Sequence, residues 1–285
     1  GSHGPATDGP QHRGIWAHRL AVIRKKRSHE LRLAILGSGS GGNAAYLEAD
    51  GTRLLIEAGF SCRDLEARLA SLGVDPAKVD AVLLSHEHGD HARGVLRFAR
   101  KFGTLVAGTR GTLRASGLRP GFSRTLTFES GEALDVGNLR IATTSVPHDA
   151  ADPVAFRIET REFRVGFALD LGHAPDGVRD LLSACEMVVL ESNHDAEMLE
   201  RGPYPRELKD RLRGPRGHLS NGEAADVLSE VVGTETRVLV LAHLSQVNNR
   251  ADLALSAALR ALPHGAQRTR VTVAHQDEPT GWIEN

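Results

Sequence analysis

Three histidines and an aspartate fall within six positions of this chain, in the run His86-Glu87-His88-Gly89-Asp90-His91. The run follows a largely apolar segment, residues 79–84, whose length is typical of a buried strand. Imidazole is the commonest side-chain ligand for metal ions, and a carboxylate beside it suits Zn, Mn or Fe. Because alternate residues of an extended chain point to the same side, we expect His86 and His88 to face one ion together. The spacing predicts a metal site at a strand end and differs from the His-Glu-x-x-His helix of metalloproteases.

One such turn can offer two pairs of ligands, but it cannot complete two metal sites. Asp90 and His91 form the second pair, ahead of a helix predicted over 92–102. Other strand-like runs end in the same kind of residue, namely 139–146 before His148, 164–169 before Asp170 and 237–242 before His243. A rigid scaffold positions ligands well at the ends of buried strands. We therefore expect these segments to converge on one metal centre.

The whole set resembles the metallo-β-lactamase superfamily, with its H-x-H-x-D-H run and then a His, an Asp and a His. The resemblance runs from about Leu31 to the C-terminus. It implies an α/β fold, the αββα four-layer sandwich of two mixed β-sheets flanked by helices. It also implies two divalent metal ions, Zn or Mn, bridged by Asp170. By the same resemblance, one ion is held by His86, His88, His148 and Asp170, and the other by Asp90, His91, Asp170 and His243.

Length and composition fit one large domain. The chain has 285 residues, of which 40% are apolar, so a single hydrolase domain is predicted over 30–285. The net charge of −1 gives no global sign of a nucleic-acid partner. Cys62 and Cys185 are far apart, which favours a reduced, cytoplasmic compartment. No apolar run approaches the ~20 residues that span a bilayer, so no membrane association is expected.

Residues 1–29 are predicted to be a flexible basic leader. Gly1-Ser2-His3 is typical of an expression scar, and a basic cluster occupies 24–27. Such an arm can touch phosphate, but the composition favours a solvated tail.

A glycine-rich loop at 37–43 matches G-x-G-x-x-G, and Glu57 lies twenty residues after Gly37. A dinucleotide fingerprint must open a helix. Residues 44–49 are too few for a helix before Asp50-Gly51, which is a hairpin signal. The sequence therefore predicts a hairpin of 44–49 and 53–57. The loop is expected to approach the site floor or a phosphate, with Ser38 and Asn43 as candidate contacts.

The remaining elements follow from apolar periodicity. Residues 125–140 are predicted to form antiparallel strands with a turn at 136–138, and 154–159 with 163–169 to form a hairpin. Helices are predicted over 62–72, 111–116, 222–232 and 250–262, and further strands over 31–36, 105–107, 187–190 and, at a sheet edge, 271–274.

Two more histidines are candidates for the site. His218 stands in Gly217-His218-Leu219-Ser220-Asn221, where Ser220 or Asn221 is predicted to cap the next helix. The segment looks like the Gly-His-Ser/Thr element of tRNA 3′-processing nucleases of the superfamily. That likeness implies that His218 contacts the scissile phosphate or donates a proton. His194 follows a strand, and the residues leave open a supporting position, a phosphate contact and loop packing.

Residues 201–216 carry six basic and two acidic side chains, and we call this segment the basic strip. A solvated helix face would explain the charge. Because the strip adjoins His218, however, it suits a polyanionic substrate. Ser245 after His243 is either a cap of the last helix or a substrate contact. The candidate phosphate contacts of the strip are Arg206, Lys209, Arg211 and Arg213.

Several segments together look like the bacterial YycJ/WalJ group, which is associated with 5′-to-3′ DNA exonuclease activity and mismatch repair. One departure is Glu57, where the superfamily usually has Asp, although the longer carboxylate could still bond to a metal ligand. The segments are 36–43, Ser192-Asn193-His194-Asp195, Gly202-Pro203-Tyr204-Pro205 with Leu208-Lys209, 217–221 and 242–249.

The expected function is a dinuclear metal-dependent phosphodiesterase acting on nucleic acid, by resemblance DNA. Two ions lower the pKa of bound water from 15.7 to about 7 and give a hydroxide nucleophile at neutral pH. Asp90, His218 and His194 are the candidate catalytic residues. The alternatives are an RNA-processing nuclease, a small-ester or thioester hydrolase and a non-enzymatic scaffold. The intact set of ligands argues against the scaffold, and protein partners cannot be read from the sequence.

Overall fold

The computed structural model describes residues 31–118, 124–266 and 268–284. The predicted leader, 1–29, lies outside these residues. In the described part of the chain, no helix is long and apolar enough to cross a membrane.

The first sheet is built from the N-terminal half of the chain and one C-terminal strand. The short strand Ile283–Glu284 pairs antiparallel with β1, which is followed by the antiparallel neighbours β2 and β3. From β3 onward the pairing is parallel through β4, β5 and β6. The strands are β1 Arg32–Gly37, β2 Ala44–Ala49, β3 Thr52–Ile56, β4 Ala81–Leu83, β5 Leu105–Thr109 and β6 Thr125–Phe128.

The second sheet has the same mixture of pairings. Its order is β13-β12-β11-β10-β9-β8-β7, antiparallel from β7 to β10 and parallel from β10 to β13. The predicted edge strand near 271–274 is confirmed as β13. The strands are β7 Ala133–Val136, β8 Leu139–Ser145, β9 Val154–Glu159, β10 Arg164–Ala168, β11 Met187–Glu191, β12 Val238–Ala242 and β13 Arg270–Val273.

Helices cover the outer faces of both sheets and give the predicted four-layer αββα sandwich. Short 3₁₀ helices occupy Pro76–Lys78 and His264–Ala266. The predicted capping of α8 by Ser220 is confirmed, because its hydroxyl accepts from Glu223 N–H in a capping box. The α-helices are α1 Cys62–Ser71, α2 Gly89–Ala92, α3 Val95–Phe102, α4 Arg110–Ala115, α5 Asp176–Leu182, α6 Ala196–Arg201, α7 Arg206–Leu212, α8 Asn221–Val231 and α9 Ala251–Ala261.

Both faces of the central strands are buried, which explains their nearly continuous apolar runs. In β11, Met187 and Val189 pack between the two sheets, whereas Val188 and Leu190 pack beneath the helices of the second sheet. Successive side chains of a strand point to opposite faces, so one strand supplies two cores. This scaffold holds the strand ends rigidly.

Two predicted elements were wrong in detail. The helix predicted over 92–102 is divided into α2 and α3, and Gly94 lies between them. A Cβ at Gly94 would come within 2.2 Å of the Phe60 carbonyl oxygen, so the chain turns where only glycine fits. Within 125–140, β6 pairs in parallel with β5 in the first sheet, and only β7 and β8 form the expected hairpin. Strand periodicity does not say which sheet a strand joins.

Candidate metal centre

Five strands present polar residues where they end or just beyond. The loop after β4 carries His86 and His88, β8 leads to His148, and β10 leads to Asp170. Glu191 ends β11, and His243 follows β12 directly. The parallel neighbours β10, β11 and β12 end at the same edge of the second sheet, and donor atoms of the histidines after β4 and β8 converge there with those of Asp170. The structure thus brings together all seven residues predicted to hold metal.

The backbone is strained at this edge. Glu57, Asp170 and His243 have φ values of 63°, 57° and 56°, in the left-handed region that non-glycine residues seldom adopt. Each residue stands just after a strand, where the chain turns sharply and directs the side chain into the site. Strain of this kind is typical of functional sites, where the surrounding structure overdetermines the conformation.

His86, His88 and His148 form the first group of potential ligands. One donor atom from each lies within 4.8 Å of the others, and His148 Nε2 is 3.2 Å from His88 Nδ1. His86 Nε2 is buried and has no hydrogen-bond partner. Burial lowers the pKa of His86 well below its usual value, so the ring is neutral, as a metal ligand must be. Three converging imidazoles with an orphaned nitrogen fit a divalent cation.

Asp90, His91 and His243 form the second group, again with donor atoms within 4.8 Å. Burial alone would raise the pKa of Asp170, but His243 and His91 hold it well below its usual range. Asp170 Oδ2 is 2.8 Å from His91 Nε2, and Oδ1 is 3.8 Å from His148 Nε2. An ionised carboxylate between the two groups is what a bridging ligand requires.

Glu57 reaches one predicted ligand. Its side chain is fully buried, its Oε1 accepts a hydrogen bond from Ser85 N–H at 3.1 Å, and its Oε2 lies 3.4 Å from His91 Nδ1. In this position the ring has Nδ1 towards Glu57 and Nε2 towards Asp170. Burial disfavours the imidazolium, but Asp170 and Glu57 together raise the pKa of His91 to about 10. A divalent cation would take the place of this proton.

Glu191 was not among the predicted site residues. It is fully buried, and its Oε1 lies 2.8 Å from both His218 Nδ1 and His243 Nδ1. Its Oε2 accepts the backbone N–H groups of Leu171 and Leu219. Burial raises the pKa of Glu191, but His218 and the hydrogen bonds outweigh this effect and lower it to about 2. The signal was available, because Glu191 ends an apolar strand just as Asp170 and His243 follow theirs.

His218 lies at the mouth of the site. Its side chain is 16% exposed, and Nδ1 lies 3.3 Å from Asp170 Oδ1 as well as bonding Glu191. Burial lowers the pKa of His218, but Glu191 and Asp170 more than offset this, and the net shift is upward. Since Nδ1 is engaged, Nε2 is the ring nitrogen left to face the cleft. His218 also belongs to a potential ligand group with Asp170, Glu191 and His243.

The structure places other predicted site residues behind the centre. Ser38 Oγ accepts His243 N–H and donates to Asn43 Oδ1, both at 2.8 Å, and Asn43 Nδ2 is 3.1 Å from His91 Nε2. Ser245 Oγ accepts the N–H groups of Val247 and Asn248 in a turn. These three polar side chains brace the loops that carry predicted metal ligands.

His194 is 2% exposed and its Nδ1 has no hydrogen-bond partner. Its backbone forms an isolated bridge with Ser220, and the neighbouring Asn193 side chain donates to the His243 carbonyl. A cleft that we call the metal cleft is lined by several of the site residues, and His194 is not among them. The lining includes His88, Asp90, His148, Asp170, His218 and His243. Of the three roles left open for His194, this position favours packing beneath the His218 segment.

The metal cleft has a volume of about 200 Å³. From the basic strip, Arg211 and Arg216 line it, but the predicted contacts Arg206, Lys209 and Arg213 do not. The Arg211 guanidinium is held at the rim by Asp149, at 2.5 and 3.1 Å. Elsewhere the positive charges of the basic strip are largely neutralised by acidic residues of the strip itself and of α6. Its other contacts are Arg201 with Glu197, Arg206 with Asp210, Arg213 with Glu200, and Lys209 with the Glu200 carbonyl.

Comparison with known proteins agrees with this architecture. The Beta-lactamase superfamily domain matches residues 52–244. The structure superposes on the metallo-beta-lactamase fold protein YhfI from Bacillus subtilis with a TM-score of 0.69 at 19% identity, over 90% of this chain and 100% of that one. The matched fold and the histidine and aspartate groups of the site together indicate that this chain binds divalent metal.

Two similar curated proteins are exodeoxyribonucleases. The chain is 33% identical to exodeoxyribonuclease WalJ of Streptococcus pneumoniae, over 78% of this chain and 85% of that protein. It is also 33% identical to exodeoxyribonuclease YycJ of Bacillus anthracis, over 79% and 86%. The chain therefore belongs to the metallo-β-lactamase-fold hydrolases and, within them, to the family of WalJ and YycJ. It is a metal-dependent hydrolase.

Proposed function

We propose that this protein is a nuclease that hydrolyses phosphodiester bonds in DNA, as a 5′-to-3′ exonuclease that serves DNA mismatch repair. One observation carries the proposal. A cleft with converging imidazoles and carboxylates at its base carries Arg211, Arg216 and His218 at its rim. Cationic groups at the rim of such a cleft attract the negative charge of a phosphodiester. The names of the relatives support DNA as the substrate.

We further propose that two divalent ions, Zn or Mn, occupy the centre. His86, His88 and His148 would hold one, Asp90, His91 and His243 the other, and Asp170 both. The grouping of the donor atoms supports this assignment. Such a pair of ions supplies a water nucleophile at neutral pH and stabilises charge on phosphate oxygens.

The chain's own side chains have distinct proposed roles. The Asp90 carboxylate is partly open to the cleft and can accept a proton from the attacking water. His218 Nε2 can donate a proton to the leaving oxygen, and Glu191 bonded to Nδ1 favours the imidazolium that makes this possible. Glu191 also positions His243, so it couples the acid to the metal site.

Arg211 and Arg216 are expected to bind phosphate. Replacing both by Ala should raise the KM for DNA by about 10-fold at 0.1 M salt. The slope of the logarithm of the binding constant against the logarithm of the salt concentration should become shallower by about one for each arginine removed. Steady-state kinetics and binding across a salt series would measure both effects. Arg206→Ala is the matched control, because Arg206 pairs with Asp210 outside the cleft. An equal effect in the control, or no effect in the double variant, would contradict the assignment.

The proposed function is tested with 5′-labelled and 3′-labelled duplex DNA, single-stranded DNA and RNA, using protein supplied with Mn or Zn. We expect stepwise release of nucleotides from the 5′ end of DNA, and loss of this activity in His86→Ala. Cleavage of RNA alone would replace the proposal with an RNA-processing nuclease. A protein that binds metal and cleaves no nucleic acid would instead point to a small ester or thioester.

A further inference from the structure

A second cleft, larger than the metal cleft, lies beside it, and we call it the side cleft. Its volume is about 390 Å³, within the range of small-ligand sites. The loop after β12 forms one wall, from Leu244 to Ala251, and the segment 274–278 after β13 forms the other. β12 and β13 are parallel, so the side cleft continues the same edge of strand ends that carries the metal ligands.

One loop contributes residues to the lining of both clefts. Ser38 lines the side cleft and Ser40 lines the metal cleft, so the loop 37–43 stands between them. Gln276 fixes this loop, because its Oε1 accepts Gly41 N–H at 2.6 Å and its Nε2 donates to the Gly42 carbonyl at 2.9 Å. His243 leads directly into Leu244 and Ser245 of the wall. A molecule in the side cleft therefore lies next to a predicted metal ligand.

The lining of the side cleft suits a neutral, hydrogen-bonding group. Gln246 and His275 are exposed there, and no hydrogen bond of their side chains is found among the described residues. Asp277 and Glu278 add carboxylates, which accept hydrogen bonds from hydroxyl and amino groups and repel phosphate. Among the described residues that line the side cleft, Arg250 is the one arginine or lysine, and it is paired with Asp252. The apolar surface of Leu244 and Ala251 completes the site.

We propose that the side cleft binds the nucleoside at the end of the substrate strand, attached to the phosphate that is cleaved in the metal cleft. This inference rests on the proposed function. The two clefts carry opposite charges. Arg211 and Arg216 line the metal cleft, which favours phosphate, whereas Asp277 and Glu278 line the side cleft, which disfavours it. A continuing phosphate backbone is disfavoured at the acidic wall, so the side cleft accepts a chain end. Such a site would make the enzyme release terminal nucleotides.

Kinetics with two substrates test the proposal. Ala251→Trp fills the side cleft and is expected to raise the KM for an oligonucleotide by about 10-fold, since part of the nucleoside's binding is lost. Bis(4-nitrophenyl) phosphate has no nucleoside, and its kcat/KM should change by less than about two-fold. Ser256→Trp, at an exposed position of the same helix, is the control and should change neither. An unchanged KM for the oligonucleotide, or equal losses on both substrates, would overturn the proposal.

Direct binding gives a readout that needs neither metal nor turnover. In a titration with thymidine, followed by NMR of the histidine rings, the His275 signal should shift saturably. The signal of His264, which is exposed elsewhere, should stay in place. His275→Gln identifies the signal, and Ala251→Trp should abolish the shift. Absence of a His275 shift would refute the site even if the protein cleaves DNA. A wild type that binds thymidine and hydrolyses no phosphodiester would instead refute the proposed function.

Discussion

Asp170→Asn is expected to empty the metal centre and to lower phosphodiester hydrolysis by about 10³-fold or more. Asp170 contacts both ligand groups, with Oδ2 2.8 Å from His91 and Oδ1 3.8 Å from His148. Its side chain is buried, and His243 and His91 keep its pKa well below the usual range, so it supplies a full negative charge. An amide of the same shape removes that charge from both metal positions at once.

Metal content per protein chain and kcat on DNA measure the effect. Asp176→Asn is a matched control, because Asp176 is an exposed aspartate in the first turn of α5, downstream on the same segment. It should bind metal and turn over like the wild type. An Asp170→Asn protein that retains two equivalents of metal and normal turnover would show that Asp170 bridges nothing. A folded circular-dichroism spectrum for both variants separates loss of metal from loss of fold.

The convergence of the predicted metal ligands could be foreseen because it depends on local patterns. A buried strand is recognisable from its apolar run. The residues that directly follow strands of the same direction lie at the same edge of the sheet. His148, Asp170 and His243 needed no knowledge of their neighbours to be chosen. The hairpin at Asp50-Gly51 was equally local, since both residues adopt the positive φ that the turn requires, 49° and 78°.

The parts that could not be predicted depend on distant partners. Glu191 follows the predicted strand 187–190 and was given no role, and its importance comes from His218 and His243, 27 and 52 positions away. The basic strip suggested a broad phosphate surface, but Glu200 and Asp149 neutralise much of it from other segments. A count of charges along the sequence does not reveal exposed ion pairs of this kind, because the partners come from segments that meet only in the folded structure.

His218→Ala is expected to lower kcat on DNA by about 10² to 10⁴-fold while leaving the metal content unchanged. The ring bonds Glu191 through Nδ1 at 2.8 Å and is partly exposed to the cleft, which suits a proton donor. The leaving group in DNA is a sugar hydroxyl, which leaves poorly without a proton. The 4-nitrophenolate of bis(4-nitrophenyl) phosphate needs no such help, so the loss with that substrate should be far smaller.

The ratio of the two losses identifies the role. A proton donor predicts a large loss with DNA and a small one with the activated diester, whereas a residue that only shapes the site predicts equal losses. His173→Ala is the control, since His173 is an exposed histidine that contacts the Pro215 carbonyl three positions before His218. Loss of metal from His218→Ala would show a ligand instead, because His218 also has a donor atom within 4.8 Å of Asp170, Glu191 and His243. Glu191→Gln should show a smaller loss of the same kind as His218→Ala, either of turnover on DNA or of metal. The reason is that the Glu191 carboxylate positions both His218 and His243.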